Sequence, residues 1–246
     1  MKTIDLNCDL GEHPGKSLDE RIMPFLSSCN IACGGHAGDK MSISQSIRLA
    51  LQHGVAVGAH PGFPDRANFG RSILHISDIA LAESLSDQIH LVKEECDNLG
   101  ATLHHVKPHG ALYNLAAKEA STSELICQVI RKIDPKLKLY GLAHSVTEKV
   151  AKAMDLTFIA EGFADRKYES DKSLRPRTQA GAVLTDETEV LSQVEEMVLN
   201  QRVFSDRWIS LEAQTICLHS DTDGSVNLAQ QIRGHLEANG IQITAV

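Results

Sequence analysis

The chain has 246 residues, of which 42% are hydrophobic and 23% charged, and its formal net charge is −8. This composition is typical of a soluble globular protein, and we interpret residues 1–246 as one domain whose negative charge argues against nucleic-acid and membrane partners. Neither the first residues nor any later run has the apolar length of a secretion signal or a membrane span, so a cytoplasmic location is expected.

Short apolar runs that suit β-strands alternate along the chain with amphipathic runs that suit α-helices. The predicted strands cover residues 3–8, 28–33, 55–60, 103–108, 138–143, 157–161 and 215–220. The predicted helices cover residues 41–53, 77–99, 122–133, 145–154, 186–200 and 225–239. About seven strand-then-helix units favour an α/β fold in which a parallel sheet closes into a barrel. An open doubly wound sheet is the alternative, although the first strand carries no glycine-rich nucleotide-binding motif.

The first predicted strand alternates polar and apolar residues. Asp5, Asn7 and Asp9 share one face of an extended strand, and the apolar residues between them share the other. We expect the polar face to point into the barrel and the apolar face to meet the helices. Glu12 follows closely, so Asp9 and Glu12 are the strongest candidates for a site at the rim, where barrel enzymes place their catalytic groups.

Ionisable side chains also follow the ends of the later predicted strands, and a barrel would bring them to the same rim. The residues that we assign to a site for this reason are His36, His60, Lys107, His109, Asp165, Arg166 and His219. His and carboxylate groups on separate strands could also hold a divalent metal. If a metal is present, Asp9, His36, His60 and His109 are its candidate ligands, but the spacing neither requires nor forbids one.

The residue types at the end of the fourth predicted strand suggest specific chemistry. Lys107 can hold an anionic oxygen, or burial can lower its pKa. His109 can transfer protons near neutral pH. The sequence has no Gly-x-Ser-x-Gly nucleophile motif, and Cys33 is the only thiol expected near the rim. Water is therefore the expected nucleophile.

Residues 162–184 interrupt the alternation of strands and helices. This segment carries charges of both signs, including Arg166 and Arg177, around Tyr168 and Pro176. A loop of this length in a compact domain is commonly a lid or a binding loop, and we predict an ordered lid over the rim.

Taken together, the rim segments resemble the LamB/YcsF family, which is associated with the A subunit of bacterial 5-oxoprolinase. The matching stretches, in the family's order, are Asp5–Glu12, Asn30–Asp39, Gly58–Asp65, Asn68–Arg71, Val106–Asn114, Phe163–Arg166, Arg175–Arg177 and Cys217–His219. The chain departs from the family at three positions: the family usually has Phe at position 35, and Gly at positions 172 and 220. This chain has Gly35, Lys172 and Ser220 there.

The resemblance implies an irregular seven-stranded (β/α) barrel of the glycoside hydrolase/deacetylase type. It also implies opening of 5-oxo-L-proline to L-glutamate coupled to hydrolysis of ATP to ADP and phosphate, with two partner subunits. Because the chain has no phosphate-binding loop, we expect the partners to handle ATP, with Mg²⁺ as its companion ion.

The residue roles that we expect follow from this reaction. Asp9 or His109 would act as general base on water, and Lys107, with Arg166 or Arg177, would bind the substrate carboxylate or the phosphate charge. The remaining expected substrate-binding residues are Asn7, Glu12, His36, His60, Asp165 and His219. Two alternatives remain: a stand-alone metal-dependent deacetylase or amidohydrolase on the same barrel, and a scaffold that only presents substrate to its partners.

Overall fold

In the computed structural model, which describes residues 2–12, 17–219 and 224–246, short strands alternate with helices. The strands are β1 (Lys2–Leu10), β2 (Ser28–Ala32), β3 (Ala56–His60), β4 (Leu103–Val106), β5 (Lys138–Leu142), β6 (Phe158–Phe163), β7 (Arg202–Phe204), β8 (Trp208–Ser210), β9 (Thr215–Leu218) and β10 (Ile241–Ile243). The helices are α1 (Leu18–Ile22), α2 (Lys40–His53), α3 (Asp78–Leu99), α4 (Gly110–Ala116), α5 (Ala120–Ile133), α6 (Val146–Ala153), α7 (Glu187–Asn200) and α8 (Ser225–Ala238).

Seven parallel strands close into a barrel in the order β1-β2-β3-β4-β5-β6-β9. The closure is made by β9, which pairs in parallel with β6 on one side and with β1 on the other. All seven predicted strands are therefore found, and the predicted barrel is confirmed over an open sheet. No helix of the described ranges is both long enough and apolar enough to cross a membrane.

The structure adds short elements that the sequence pattern did not predict. α1 and α4 have only 5 and 7 residues, and β7 and β8 form a two-stranded antiparallel hairpin. β10 lies in parallel beside the start of β1. Elements this short carry too few residues to show a periodicity, so their positions depend on tertiary contacts.

The two faces of β1 point as predicted. Ile4 and Leu6 are buried among the apolar side chains of the core. On the opposite face, the carboxylate of Asp5 accepts hydrogen bonds of 2.6 to 2.7 Å from the hydroxyls of Ser27, Ser28 and Thr215. Asp5 therefore joins three strand ends inside the barrel, and its role is structural.

A polar contact between β4 and β2 crosses the barrel interior, because the strand between them has a glycine at the crossing point. His105 on β4 reaches Asn30 on β2, with 2.7 Å between Nε2 and Oδ1. A Cβ atom at Gly58 of β3 would lie only 2.1 Å from the same Nε2. Gly58 is therefore required for the contact between β2 and β4 across the intervening strand.

The segment after β6 is ordered, as predicted, and it packs over the rim. Its first two predicted residues, 162 and 163, belong to β6. Isolated bridges join Arg166 to Val183 and Tyr168 to Leu174. The Tyr168 ring is buried, and its hydroxyl accepts a 2.8 Å hydrogen bond from the backbone N–H of Phe163. We call residues 164–184 the lid.

Candidate active site

A cavity of about 920 Å³ opens at the carboxyl ends of the barrel strands, between the rim and the lid. The predicted site residues that line it are Asp9, Glu12, His60, Lys107, His109, Arg166, Arg177 and His219. Asn7, His36 and Asp165 lie behind this lining and contact Lys107, Glu12 and His219, respectively. The structure therefore gathers the side chains that the sequence placed at one rim.

Lys107 lies at the floor of the cavity between two carboxylates. Its Nζ is 2.9 Å from Asp9 Oδ1 and 2.9 Å from Glu161 Oε1, and it is 3.3 Å from Asn7 Oδ1. Burial alone would lower the pKa of Lys107, but Asp9 and Glu161 outweigh it and raise that pKa well above its ordinary value. Of the two alternatives expected for Lys107, a net pKa lowered by burial is wrong, because the pKa is raised and the side chain is an ammonium at neutral pH.

Asp9 connects this ammonium to the histidines. Burial would raise the pKa of Asp9, but His60 and Lys107 together hold it well below its ordinary value. Asp9 Oδ2 is 3.2 Å from His60 Nε2, and Asp9 Oδ1 accepts a 2.9 Å hydrogen bond from Asn30. Asp9 is therefore an ionised, fixed carboxylate at neutral pH.

Three imidazoles cluster beside Glu12. His36 and His109 are stacked, with 3.6 Å between ring centroids and 5° between planes, and His60 packs against both edge-on. Burial lowers the pKa of His109 to about 3 and the pKa of His36 to about 2, and the neighbouring His60 adds to both shifts. His36 and His109 are thus neutral near pH 7, which differs from the expectation that His109 titrates there.

The loop Gly62–Gly70 allows this close packing. Gly70 has φ +61°, and a Cβ there would lie 2.9 Å from His36 Cβ and 3.0 Å from His109 Cδ2. Phe69 packs edge-on against both rings, and its carbonyl oxygen lies 2.9 Å from His109 Nε2. The histidine cluster therefore depends on a glycine in the left-handed region.

The half-buried His219 and the buried Asp165 form a second pair at the opposite side of the cavity. His219 Nδ1 is 2.9 and 3.0 Å from the two carboxylate oxygens of Asp165, and its ring stacks on Phe163. Burial would raise the pKa of Asp165, but His219 outweighs it and the pKa is lowered. Asp165 therefore orients His219 toward the cavity.

The two predicted arginines differ in their surroundings. Arg166 is buried and donates to the backbone carbonyls of Ala182 and Arg175 at 3.2 and 2.6 Å, which ties the two ends of the lid together. Arg177 is exposed at the cavity mouth. Arg177 is thus the better placed of the two to meet an anionic substrate.

The sequence did not single out three important side chains. Glu161 contacts Lys107 and accepts a 2.8 Å hydrogen bond from the hydroxyl of Tyr113. Arg71 lines the cavity. A signal for Glu161 was present, because it is a charged residue within an apolar strand, but Tyr113 lies on the unpredicted helix α4.

Cys33 is not the only thiol near the rim, contrary to expectation. Cys217 Sγ lies 3.1 Å from Lys107 Nζ, whereas Cys33 packs in the apolar core. Burial raises the pKa of the Cys217 thiol well above its ordinary value. Cys217 is a thiol at neutral pH, which agrees with water as nucleophile.

The structure shows the surroundings of two of the three positions at which the chain departs from the family pattern. A Cβ at Gly35 would lie 2.2 Å from Gln88 Oε1, so the Gln88 side chain already fills that space. Lys172 has φ +72°, a conformation that glycine adopts more readily. Ser220 lies outside the described residues.

Two groups of side chains could hold a metal ion in the described part of the chain. Glu12, His36, His60 and His109 present ligand atoms within 4.8 Å of one another. Asp9, Cys217 and His219 do the same at the other side of the cavity. Glu12 thus joins the three predicted histidines in the first group, whereas Asp9, whose Oδ2 lies 3.2 Å from His60 Nε2, belongs to the second.

Comparisons with known proteins agree with this architecture. The model of the LamB/YcsF family matches residues 4–246. A protein of Geobacillus thermodenitrificans, named as the A subunit of 5-oxoprolinase, is 44% identical over 250 residues, which cover 100% of this chain and 98% of the relative. The match extends over the whole length of both proteins.

Solved structures show the same fold. A lactam utilization protein from Thermus thermophilus is 36% identical, with a TM-score of 0.93 and full coverage of both chains. A family 4 carbohydrate esterase from Streptomyces lividans is 10% identical, with a TM-score of 0.50 over 100% of this chain and 93% of the esterase. The second likeness concerns the fold alone and agrees with a barrel of the deacetylase type.

Proposed function

The chain belongs to the LamB/YcsF family, and from this membership we propose that it is the A subunit of an ATP-dependent 5-oxoprolinase. Its reaction would open 5-oxo-L-proline to L-glutamate while ATP is hydrolysed to ADP and phosphate. The observation that carries the proposal is the 44% identity, over the whole chain, to a protein named as the A subunit of that enzyme. The buried charges around Lys107 at the cavity floor support it.

Activation of the ring is assigned to the partner subunits. The sequence has no phosphate-binding loop, so two partners would bind ATP with Mg²⁺ and phosphorylate the ring carbonyl oxygen, releasing ADP. Water then adds to the activated carbon, and the ring C–N bond breaks to leave an amine and an acyl phosphate. A second water hydrolyses that acyl phosphate to glutamate and phosphate.

Lys107 and Arg177 are assigned to the negative charges of the substrate. The Lys107 ammonium is fixed before substrate arrives, so it can stabilise an oxyanion without reorganisation. Arg177 at the cavity mouth would bind the ring carboxylate. Arg166 acts through the lid, because its guanidinium is held by two carbonyl groups.

Asp9 and His109 are the candidate bases for the attacking water. Both are unprotonated at neutral pH, as a base must be, and both have lowered pKa values that make them weak bases. A weak base is sufficient only when the carbon under attack is strongly electrophilic. The need for ATP activation therefore agrees with the character of these two groups.

The proposal is tested by measuring glutamate release and ATP hydrolysis with 5-oxoproline. The chain is assayed alone, and then together with its candidate partner subunits. We expect 5-oxoproline-dependent ATP hydrolysis in the mixture only. ATP hydrolysis by the isolated chain that depends on 5-oxoproline would overturn the division of labour.

A metal-dependent deacetylase or amidohydrolase is the second candidate, and the cluster of Glu12 with three histidines favours it. The discriminating assay offers N-acetylated sugars and simple cyclic amides to the metal-loaded chain without ATP or partners. Turnover of either class would support this candidate, whereas strict dependence on ATP and partners would eliminate it.

A further inference from the structure

His60 and His109 face each other through two nitrogen atoms that cannot share a hydrogen bond when both rings are neutral. His60 Nδ1 lies 2.7 Å from the carbonyl oxygen of Lys107, and His109 Nε2 lies 2.9 Å from that of Phe69. A carbonyl oxygen only accepts, so both of these nitrogens carry the hydrogen. When both rings are neutral, the remaining nitrogens, His60 Nε2 and His109 Nδ1, present lone pairs to each other at 3.0 Å, and Asp9 Oδ2 lies 3.2 Å from the same His60 nitrogen.

A carboxylate oxygen completes a triangle with these two lone pairs. Glu12 Oε1 lies 3.5 Å from His109 Nδ1 and 4.0 Å from His60 Nε2. In a triangle with sides of 3.0, 3.5 and 4.0 Å, the point equidistant from all three corners lies about 2.1 Å from each. That distance equals the length of bonds from Zn²⁺ to imidazole nitrogen and carboxylate oxygen.

From this juxtaposition of two lone pairs and a carboxylate, we propose that Glu12, His60 and His109 bind one divalent transition-metal ion. With its Nδ1 on the ion and its Nε2–H on the Phe69 carbonyl, His109 could not accept a proton, so Asp9 is then the base of the two candidates. The two backbone carbonyls that fix the imidazole tautomers are the outer partners that metal-binding histidines ordinarily have. The three ligands come from the ends of different strands, and all are buried while still lining the cavity. Three protein ligands with a fourth position open to a cavity are characteristic of catalytic rather than structural sites.

His36 orients the carboxylate and is not a fourth ligand. Its ring is stacked on His109 at 3.6 Å, so an ion in the plane of the His109 ring lies far out of the plane of His36. His36 Nε2 is 3.1 Å from Glu12 Oε1, close enough to donate a hydrogen bond to it. His36 Nδ1 is buried without a hydrogen-bond partner, which the stacked position imposes.

The charge of the surroundings suits a dication. Asp9, Glu12 and Glu161 carry three negative charges when ionised, and the Lys107 ammonium neutralises one of them. A bound dication would offset the remaining negative charge together with Arg71, which also lines the cavity and lies over the Phe69 ring. Imidazole with carboxylate is a donor set for zinc and neighbouring metals, whereas calcium and magnesium prefer oxygen ligands alone.

The test measures metal binding by the full chain, independently of any enzymatic activity. The protein is stripped with a chelator, dialysed and titrated with Co²⁺ and Zn²⁺. Metal content, visible Co²⁺ absorption and melting temperature are then recorded. We expect one equivalent of metal, Co²⁺ bands of low-symmetry nitrogen and oxygen coordination, and a higher melting temperature. Less than one equivalent of bound metal, without these Co²⁺ bands, would overturn the proposal. It would indicate instead that the two imidazoles share a proton.

Variants locate the ion. We expect Glu12→Gln, His60→Gln and His109→Gln each to weaken binding by more than about 100-fold, and His36→Phe by about 10- to 100-fold. His219→Gln tests the second candidate group and should bind like the wild type, as should His144→Asn at the exposed rim. Circular dichroism of the metal-free forms checks their folding. Metal retained by the first three variants but lost in His219→Gln would overturn the assignment.

Discussion

Lys107 Nζ and Asp9 Oδ1 lie 2.9 Å apart inside the barrel, and this pair joins β1 to the end of β4 across the floor of the cavity. Glu161 completes the arrangement from β6, also at 2.9 Å. A buried ammonium between two carboxylates fixes a positive charge where a substrate oxygen would develop negative charge. Removing the ammonium would destabilise the fold, because it would leave two buried carboxylates without their cationic partner.

Replacing Lys107 tests both roles. We expect Lys107→Met to abolish turnover in the assembled complex and to lower the free energy of unfolding by about 3–5 kcal/mol, because it breaks a buried ion pair. Urea denaturation measures the second effect. The double variant Lys107→Met/Glu161→Gln should regain part of the stability but no turnover. Recovery of turnover in the double variant would refute a direct role for the ammonium.

Arg177→Gln tests binding of the substrate carboxylate at the cavity mouth. A hydrogen bond to a charged group contributes about 1.5–3 kcal/mol, so we expect KM for 5-oxoproline to rise by about 10- to 100-fold. Stability should change by less than about 0.5 kcal/mol because the residue is exposed. The exposed Arg207 on the β7–β8 hairpin supplies the control, Arg207→Gln. Equal effects of the two changes would exclude a specific contact.

Gly70→Ala should disrupt the packing of His36 and His109. The added Cβ meets both side chains, and an alanine is also strained at φ +61°. We therefore expect a loss of roughly 2–4 kcal/mol in the free energy of unfolding. Gly100→Ala has a similar φ of +74° with nothing within 4 Å, and should lose only about 1–2 kcal/mol. Equal losses would show that the clash with the histidines has no energetic consequence.

Gly35 and Gln88 should behave as an interacting pair. Gln88 fills the space beside Gly35 and hydrogen-bonds to both the N–H and the carbonyl of Gly62, at 3.0 and 2.9 Å. We expect Gly35→Phe alone to cost about 1–3 kcal/mol of stability through overpacking. The stability loss in the double variant Gly35→Phe/Gln88→Ala should be smaller than the sum of the two single-variant losses by about 0.5–3 kcal/mol. Strict additivity in a thermal or urea denaturation cycle would contradict this interpretation.

The Asp165–His219 pair predicts a pH dependence of stability. The pKa of Asp165 is lower in the folded protein than in the unfolded chain, where it is about 3.9. As the pH falls, Asp165 is therefore protonated in the unfolded chain before it is protonated in the folded protein. The stabilisation from its carboxylate is complete above about pH 5 and is lost as the pH falls through the folded pKa. Urea unfolding should show the advantage of the wild type over Asp165→Asn shrinking below about pH 4. A constant difference between pH 7 and 3 would contradict this account.

Much of the fold follows from local patterns. The alternation in Ile4–Asp9 determines which face of β1 enters the barrel, because successive side chains of a strand point to opposite sides. Apolar runs of five or six residues between long amphipathic segments were sufficient to predict the seven barrel strands. The rim position of Asp9, His60 and Lys107 then follows, since parallel strands bring their carboxyl ends to one side.

The site itself depends on distances between strands, which no local pattern contains. Glu161 meets Lys107 only because β9 closes the sheet between β6 and β1. The tautomers of His60 and His109 are fixed by carbonyl groups of residues remote in sequence, and a positive φ at Gly70 makes room for their rings. The sequence by itself determined which residues reach the rim, because strand periodicity and chain order are local properties. Only the tertiary structure decided which of them touch, because burial, pairing and ring orientation arise when the barrel closes.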